Sequence, residues 1–206
     1  MRAGALTPLA AARVAASAAL AVCIASSAAY AAPAAEFSLG ASAGASQGKV
    51  DCVASFACQR RSADFKLFAS YALNDDVELR ALYFNAGRFK GGGTTPAGTT
   101  VAGLEFGGSF KVSGLGLTAG YRWVLAPLWT VSAHAGLASV RTRFEHANPA
   151  FGTFSQTTVQ PLAGAGLAYA YTPALRLGVD FDATRFKAHT TRGPLRMLGL
   201  SAQFSF

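Results

Sequence analysis

Long hydrophobic runs are largely missing from this 206-residue sequence. A membrane-spanning helix needs about 20 consecutive apolar residues, and no stretch beyond the N-terminus approaches that, so a helical membrane protein is excluded. Charge is scarce as well: Asp, Glu, Lys and Arg make up 14% of the residues, against about 25% in an ordinary soluble domain. Hydrophobic residues nevertheless reach 51%, too much apolar surface for a disordered chain. Cysteine is limited to three residues and histidine to three. Neither type clusters at metal-ligand spacing, so no metal site and no cofactor is expected. What is plentiful is small residues, including 22 glycines. The apolar area is real but spread out and diluted, over a length that suits one domain.

Residues 1–31 read as a cleaved secretory signal. Arg2 and Arg13 supply positive charge, Val14 to Ile24 is apolar, and Ala29-Tyr30-Ala31 has the A-x-A form of a cleavage site. The stretch is too short to span a bilayer as a helix. Cleavage would leave residues 32–206 and remove Cys23. The two remaining cysteines, Cys52 and Cys58, are then expected to form a disulfide in an oxidising compartment.

From residue 36 onward hydrophobicity alternates with period two. Leu39, Ala41 and Ala43 face Ser38, Gly40 and Ser42. Phe65, Leu67, Ala69 and Tyr71 line a second segment, and Val77, Leu79, Ala81 and Tyr83 a third, opposite Glu78 and Arg80. The pattern returns around Leu115–Trp123, Trp129–Leu137, Val159–Tyr169, Leu175–Phe181 and Leu198–Phe206. Successive strand side chains point to opposite faces, so these are eight strands, each with one apolar face. Asn74-Asp75-Asp76, Ala126-Pro127-Leu128 and Thr172-Pro173-Ala174 carry tight-turn chemistry. Longer polar stretches lie near 47–62, 90–110, 144–156 and 188–194. Residues 90–110 are ambiguous, either a loop hairpin or the start of the fourth strand. Short turns at one end and longer loops at the other describe an all-β, eight-stranded antiparallel transmembrane β-barrel, with its turns periplasmic and its loops extracellular.

Three features favour lipid rather than a protein core against the apolar faces. Tyr71, Tyr121, Trp123, Trp129, Tyr169 and Tyr171 cluster beside the short turns, as an interfacial aromatic girdle would. The polar faces hold both charge signs, expected as a lumenal ion-pair ladder of Lys66, Glu78, Arg80, Arg122, Arg176, Asp180, Asp182 and Arg185. The apolar faces are free of charge over most of their length, and a sheet in lipid must close because unsatisfied backbone groups cost several kcal/mol each. The last strand ends on Phe204 and Phe206, read as the signal recognised by the barrel-assembly machinery.

Leu39-Gly40-Ala41-Ser42-Ala43-Gly44, Phe65-Lys66-Leu67-Phe68, Asn74-Asp75-Asp76, Ala135-Gly136-Leu137-Ala138, Gly164-Ala165-Gly166-Leu167 and Phe204-Ser205-Phe206 occur in order along the chain. Through this set, residues 36–206 resemble the small OmpA-like outer-membrane β-barrel family, as a barrel-only member without a peptidoglycan-binding domain. The resemblance implies the bacterial outer membrane and a structural or surface-interaction role, with the lumen filled by side chains.

Some barrels of this size modify lipid A, and His134 near Ser132 is the arrangement that such chemistry would use. No deacylase-type motif accompanies it, so no enzymatic activity and no catalytic residue is expected. A third reading, an adhesin acting through the loops, predicts that trimming 91–98 abolishes surface binding. The basic excess carries no aromatic-interleaved patch for nucleic acid. Arg60, Arg61, Arg141, Arg143 and Arg192 instead suit phosphates of lipopolysaccharide, which with outer-membrane lipids is the expected partner.

Overall fold

The computed structural model describes residues 37–50, 58–94, 105–147, 152–188 and 191–206. Residues 1–31, expected from the sequence to be a signal segment, lie outside these residues, as do Cys52 and His189. Eight strands follow one another: β1 (Phe37–Gly48), β2 (Arg61–Ala72), β3 (Val77–Thr94), β4 (Glu105–Ala126), β5 (Trp129–His146), β6 (Thr153–Ala170), β7 (Leu175–Ala188) and β8 (Thr191–Ser205). Each pairs antiparallel with its neighbours in the chain, and β1 pairs with β8, closing the barrel. Closure register is marked by Leu39 opposite Phe204 and Ala43 opposite Leu200. No strand edge is left open, which is the requirement lipid imposes on a sheet.

The alternation settles which face is which. Leu117 is 64% exposed and Leu200 72% exposed, whereas Phe84, Val112, Val140 and Met197 are completely buried. The apolar stripes read from the sequence therefore point outward, and the intervening residues point into the lumen.

Strands run farther into the polar stretches than their composition suggests. Residues 90–94 and 105–110 extend β3 and β4, with Lys90 opposite Ser109 and Thr94 opposite Glu105. The stretch 188–194 is mostly strand, leaving only 189–190 between β7 and β8. The reason lies in the glycines and serines: on a half-solvated antiparallel ladder the backbone hydrogen bonds, rather than apolar side chains, sustain the pairing.

β3 contains a bulge. Asn85 pairs with Ser113 and Arg88 with Lys111, so one extra residue sits on β3. Gly87 takes φ 77° there, a left-handed value that glycine adopts without steric cost, and its N–H donates to Asn85 Oδ1 at 3.0 Å. The extra residue inverts the parity of the strand. Below it Glu78, Arg80, Leu82 and Phe84 face inward; above it Phe89 turns inward and Arg88 turns out.

Candidate functional site

The lumen has two storeys. Toward the short turns it is ionic. Lys66 Nζ on β2 pairs with Asp180 Oδ2 and, at 2.6 Å, with Asp182 Oδ2, both on β7. β1 and β8 separate β2 from β7 around the wall, so these bonds cross the barrel interior. His134 Nε2 on β5 lies 2.8 Å from Asp182 Oδ1, drawing a third strand into the network. Gly164 makes that contact possible, because a Cβ at this position would run into Asp182 Oδ1 and His134 Nε2. On β3, Arg80 donates to Glu78 Oε1 at 2.7 Å and to Ser70 Oγ at 3.1 Å. Its guanidinium also lies 4.9 Å from the centroid of the Phe68 ring. Arg122 Nε is 3.9 Å from Glu78 Oε2 and its guanidinium donates to the carbonyl of Asp75 in the first turn.

Toward the loops the interior is apolar. Phe84, Phe89, Val112, Val140, Phe186, Leu195 and Met197 are all but fully buried, and the Phe110 and Phe144 rings stack at 4.7 Å between centroids. This plug is absent from the sequence-based picture of a polar lumen. Its signal was available: on β5 Ala138, Val140 and Phe144 share parity with His134, so the inward face changes from polar to apolar partway along the strand.

Of the residues expected in the ladder, the structure brings Lys66, Asp180 and Asp182 together, and separately Glu78, Arg80 and Arg122. Arg176 faces inward on β7 but joins neither ion-pair group by a direct salt bridge. Arg185 is a correction. It is exposed on the outer wall, because it shares parity with the outward Leu177, Val179 and Phe181, while its neighbour Thr184 takes the inward position.

The aromatic residues occupy one outer band beside the turns. Tyr71, Tyr121, Trp123, Trp129 and Tyr171 are exposed there. Tyr121 lies against Trp123 with ring centroids 4.8 Å apart, and Trp129 against Tyr169 at 5.1 Å. Phe206 contacts both Phe37 and Phe204, at 6.2 and 5.0 Å. Above this band the outer wall carries no charged residue until Arg61, Arg88, Lys111, Arg141, Arg185 and Arg196 begin a basic rim near the loops. Among the described residues no group of three or more His, Cys, Asp or Glu is placed to hold a metal ion.

Comparison with known proteins accords with this geometry. Residues 32–186 match the model of the OmpA-like transmembrane domain family. Among solved structures, Neisserial surface protein A is similar at a TM-score of 0.60 and 17% identity, covering 83% of this chain and 97% of that one. OprG of Pseudomonas aeruginosa is similar at a TM-score of 0.52 and 11% identity, over 84% of this chain and 98% of its own. No curated protein matches the chain by sequence. A closed eight-stranded barrel, apolar outside and matched over most of its length by that family, belongs to the OmpA-like transmembrane domain proteins of the bacterial outer membrane.

Proposed function

We propose that the protein is a sealed structural barrel that works at the cell surface rather than as a pore or an enzyme. The observation that carries this reading is the filled lumen: an ionic brace across one storey and an aromatic plug across the other. Eight strands enclose just enough room for side chains, and here both storeys use it. Planar-bilayer recordings of the folded protein are expected to show no stable conductance. A persistent large open state would contradict the reading.

The buried placement of His134 supports a non-enzymatic role. Its side chain is 1% exposed and engaged with Asp182, inside the wall and out of reach of lipid on the outside. Lipid A from cells with and without the protein should give the same mass spectrum. In this reading the outer aromatic band anchors the barrel at the periplasmic interface, Phe204 and Phe206 present the terminal strand to the barrel-assembly machinery, and a Cys52–Cys58 disulfide staples the first loop. The surface contacts would be made by the loop end. Because Gly91–Thr94 extends β3, a loop-trimming test belongs at 95–104 rather than at 91–98.

A further inference from the structure

The basic rim is not uniform. Arg88 on β3 pairs in register with Lys111 on β4, and Lys111 with Arg143 on β5. Three cations therefore stand side by side on the outer wall, in a row about 10 Å long given the spacing of neighbouring strands. Like charges directly opposite one another destabilise a sheet. Arg141, one outward position lower on β5, adds a fourth. Among the described side chains one acid answers them: Glu145, with carboxylate oxygens 3.7 Å from Arg88 and 3.6 Å from Arg143. Arg88 reaches this row only through the bulge at Gly87, which turns it out of the lumen. With one carboxylate for four cations, the row keeps a net positive charge that a bound anion would relieve.

Below the row the same wall turns apolar. An open groove of about 720 Å³ lies there. Its floor is the in-register pair Ala69 and Ala81, and Leu67, Tyr83, Leu115 and Leu117 rise around it. The small residues make the hollow, and its sides carry no charge. Cations at the loop end above an acyl-sized hollow match the two halves of one amphiphile.

We propose that the outer wall across β2–β5 binds a phosphorylated, multiply acylated lipid of the outer leaflet, lipid A in chemistry. Its phosphates sit on Arg88, Lys111 and Arg143, and acyl chains lie in the groove over Ala69 and Ala81. The site depends on the outer-membrane placement of the barrel and not on a sealed lumen, so a conductance result leaves it untouched. It differs from a diffuse basic collar: Arg60, Arg61 and Arg192, which composition alone pairs with lipopolysaccharide, lie off the in-register Arg88–Lys111–Arg143 row.

The test titrates the full folded chain in detergent micelles with diphosphoryl lipid A, reading occupancy by native mass spectrometry. The variant Arg88→Gln/Lys111→Gln/Arg143→Gln is expected to bind at least about tenfold more weakly. Arg185→Gln/Lys187→Gln/Arg192→Gln removes the same charge from the β7–β8 wall and should change affinity by less than about twofold. Lipid A stripped of its phosphates should bind the wild type as weakly as diphosphoryl lipid A binds the first variant, and Ala81→Phe should weaken the diphosphoryl lipid by filling the hollow. Equal losses in the two triple variants, or undiminished binding of the dephosphorylated lipid, would overturn the proposal. If the first variant fails to fold, the single Lys111→Gln change and the dephosphorylated lipid carry the same decision.

Discussion

Lys66 carries its ammonium into an interior where its side chain is 2% accessible, and it meets the carboxylates of Asp180 and Asp182 there. Removing one partner of such a pair leaves a buried charge uncompensated, at a cost of about 3–5 kcal/mol. Lys66→Met should therefore lower the stability of the refolded barrel by about that amount, read from urea unfolding of the micelle- or vesicle-bound protein. Adding Asp180→Asn and Asp182→Asn to Lys66→Met should recover part of the loss, and adding Asp64→Asn more, because the buried Asp64 carboxylate also interacts with Lys66 and would otherwise be left without its counter-charge. The inward placement of Lys66, Asp180 and Asp182 was legible from parity alone. Their partnership was not, since nothing local joins β2 to β7 across more than a hundred residues of chain. Arg185 shows the opposite failure: parity placed it outside, but grouping it with other charges by type placed it in the ladder.

The informative element is β3. Its lower half follows strict alternation and was readable, with Leu79, Ala81 and Tyr83 outward against Glu78 and Arg80. Its upper half was not, because one extra residue at Gly87 reverses which side chains face the lumen. Asn85-Ala86-Gly87 holds the chemistry for such a kink, a side-chain acceptor two residues before a glycine, yet it is equally the composition of a loop. A Cβ at Gly87 would meet Ser62 and the carbonyl of Ala63, and φ is left-handed there. Gly87→Val should thus destabilise the barrel by more than about 1 kcal/mol, seen as an earlier midpoint in the same urea titration. The loss should exceed that of Gly152→Val. Gly152 also has positive φ, but a Cβ there would meet nothing within 4 Å, so the difference between the two variants isolates the crowding at the bulge. Deleting Gly87 outright should cost less than Gly87→Val, because strict alternation from the inward Ala86 still directs Arg88 outward opposite Lys111 and Phe89 inward.

Across the whole molecule, side-chain chemistry is sorted by height as well as by face. Outside, aromatic rings lie beside the turns, an uncharged band follows, and cations gather at the loop end. Inside, ion pairs give way to the aromatic plug. The outer sorting was legible because lipid acts on every strand at the same depth and so repeats its demand along the chain. The inner plug was obscured because it is assembled from a few residues on each of several strands, from Phe84 and Phe89 on β3 to the single Phe186 on β7, so no one segment displays it. A small barrel so closed and so completely packed should stay folded in detergent until heated, migrating faster on a denaturing gel before boiling than after. Loss of the Phe84 ring from the plug, in Phe84→Ala, should lower the temperature at which that shift occurs, in keeping with the about 3–5 kcal/mol that such truncations cost.

The most direct measurement places nitroxide labels, one at a time, on the refolded barrel in lipid bilayers through Leu115→Cys, Leu117→Cys, Leu198→Cys and Leu200→Cys. Oxygen, which dissolves in the hydrocarbon, should relax all four strongly, while a water-soluble nickel complex should barely reach them. Labels at the inward Gln160 and Gln203, which replace side chains of similar reach, should be shielded from oxygen. If the four leucine positions proved shielded from oxygen and the two glutamine positions open to it, the greasy face would be the inner one and the assignment of wall and lumen would be reversed.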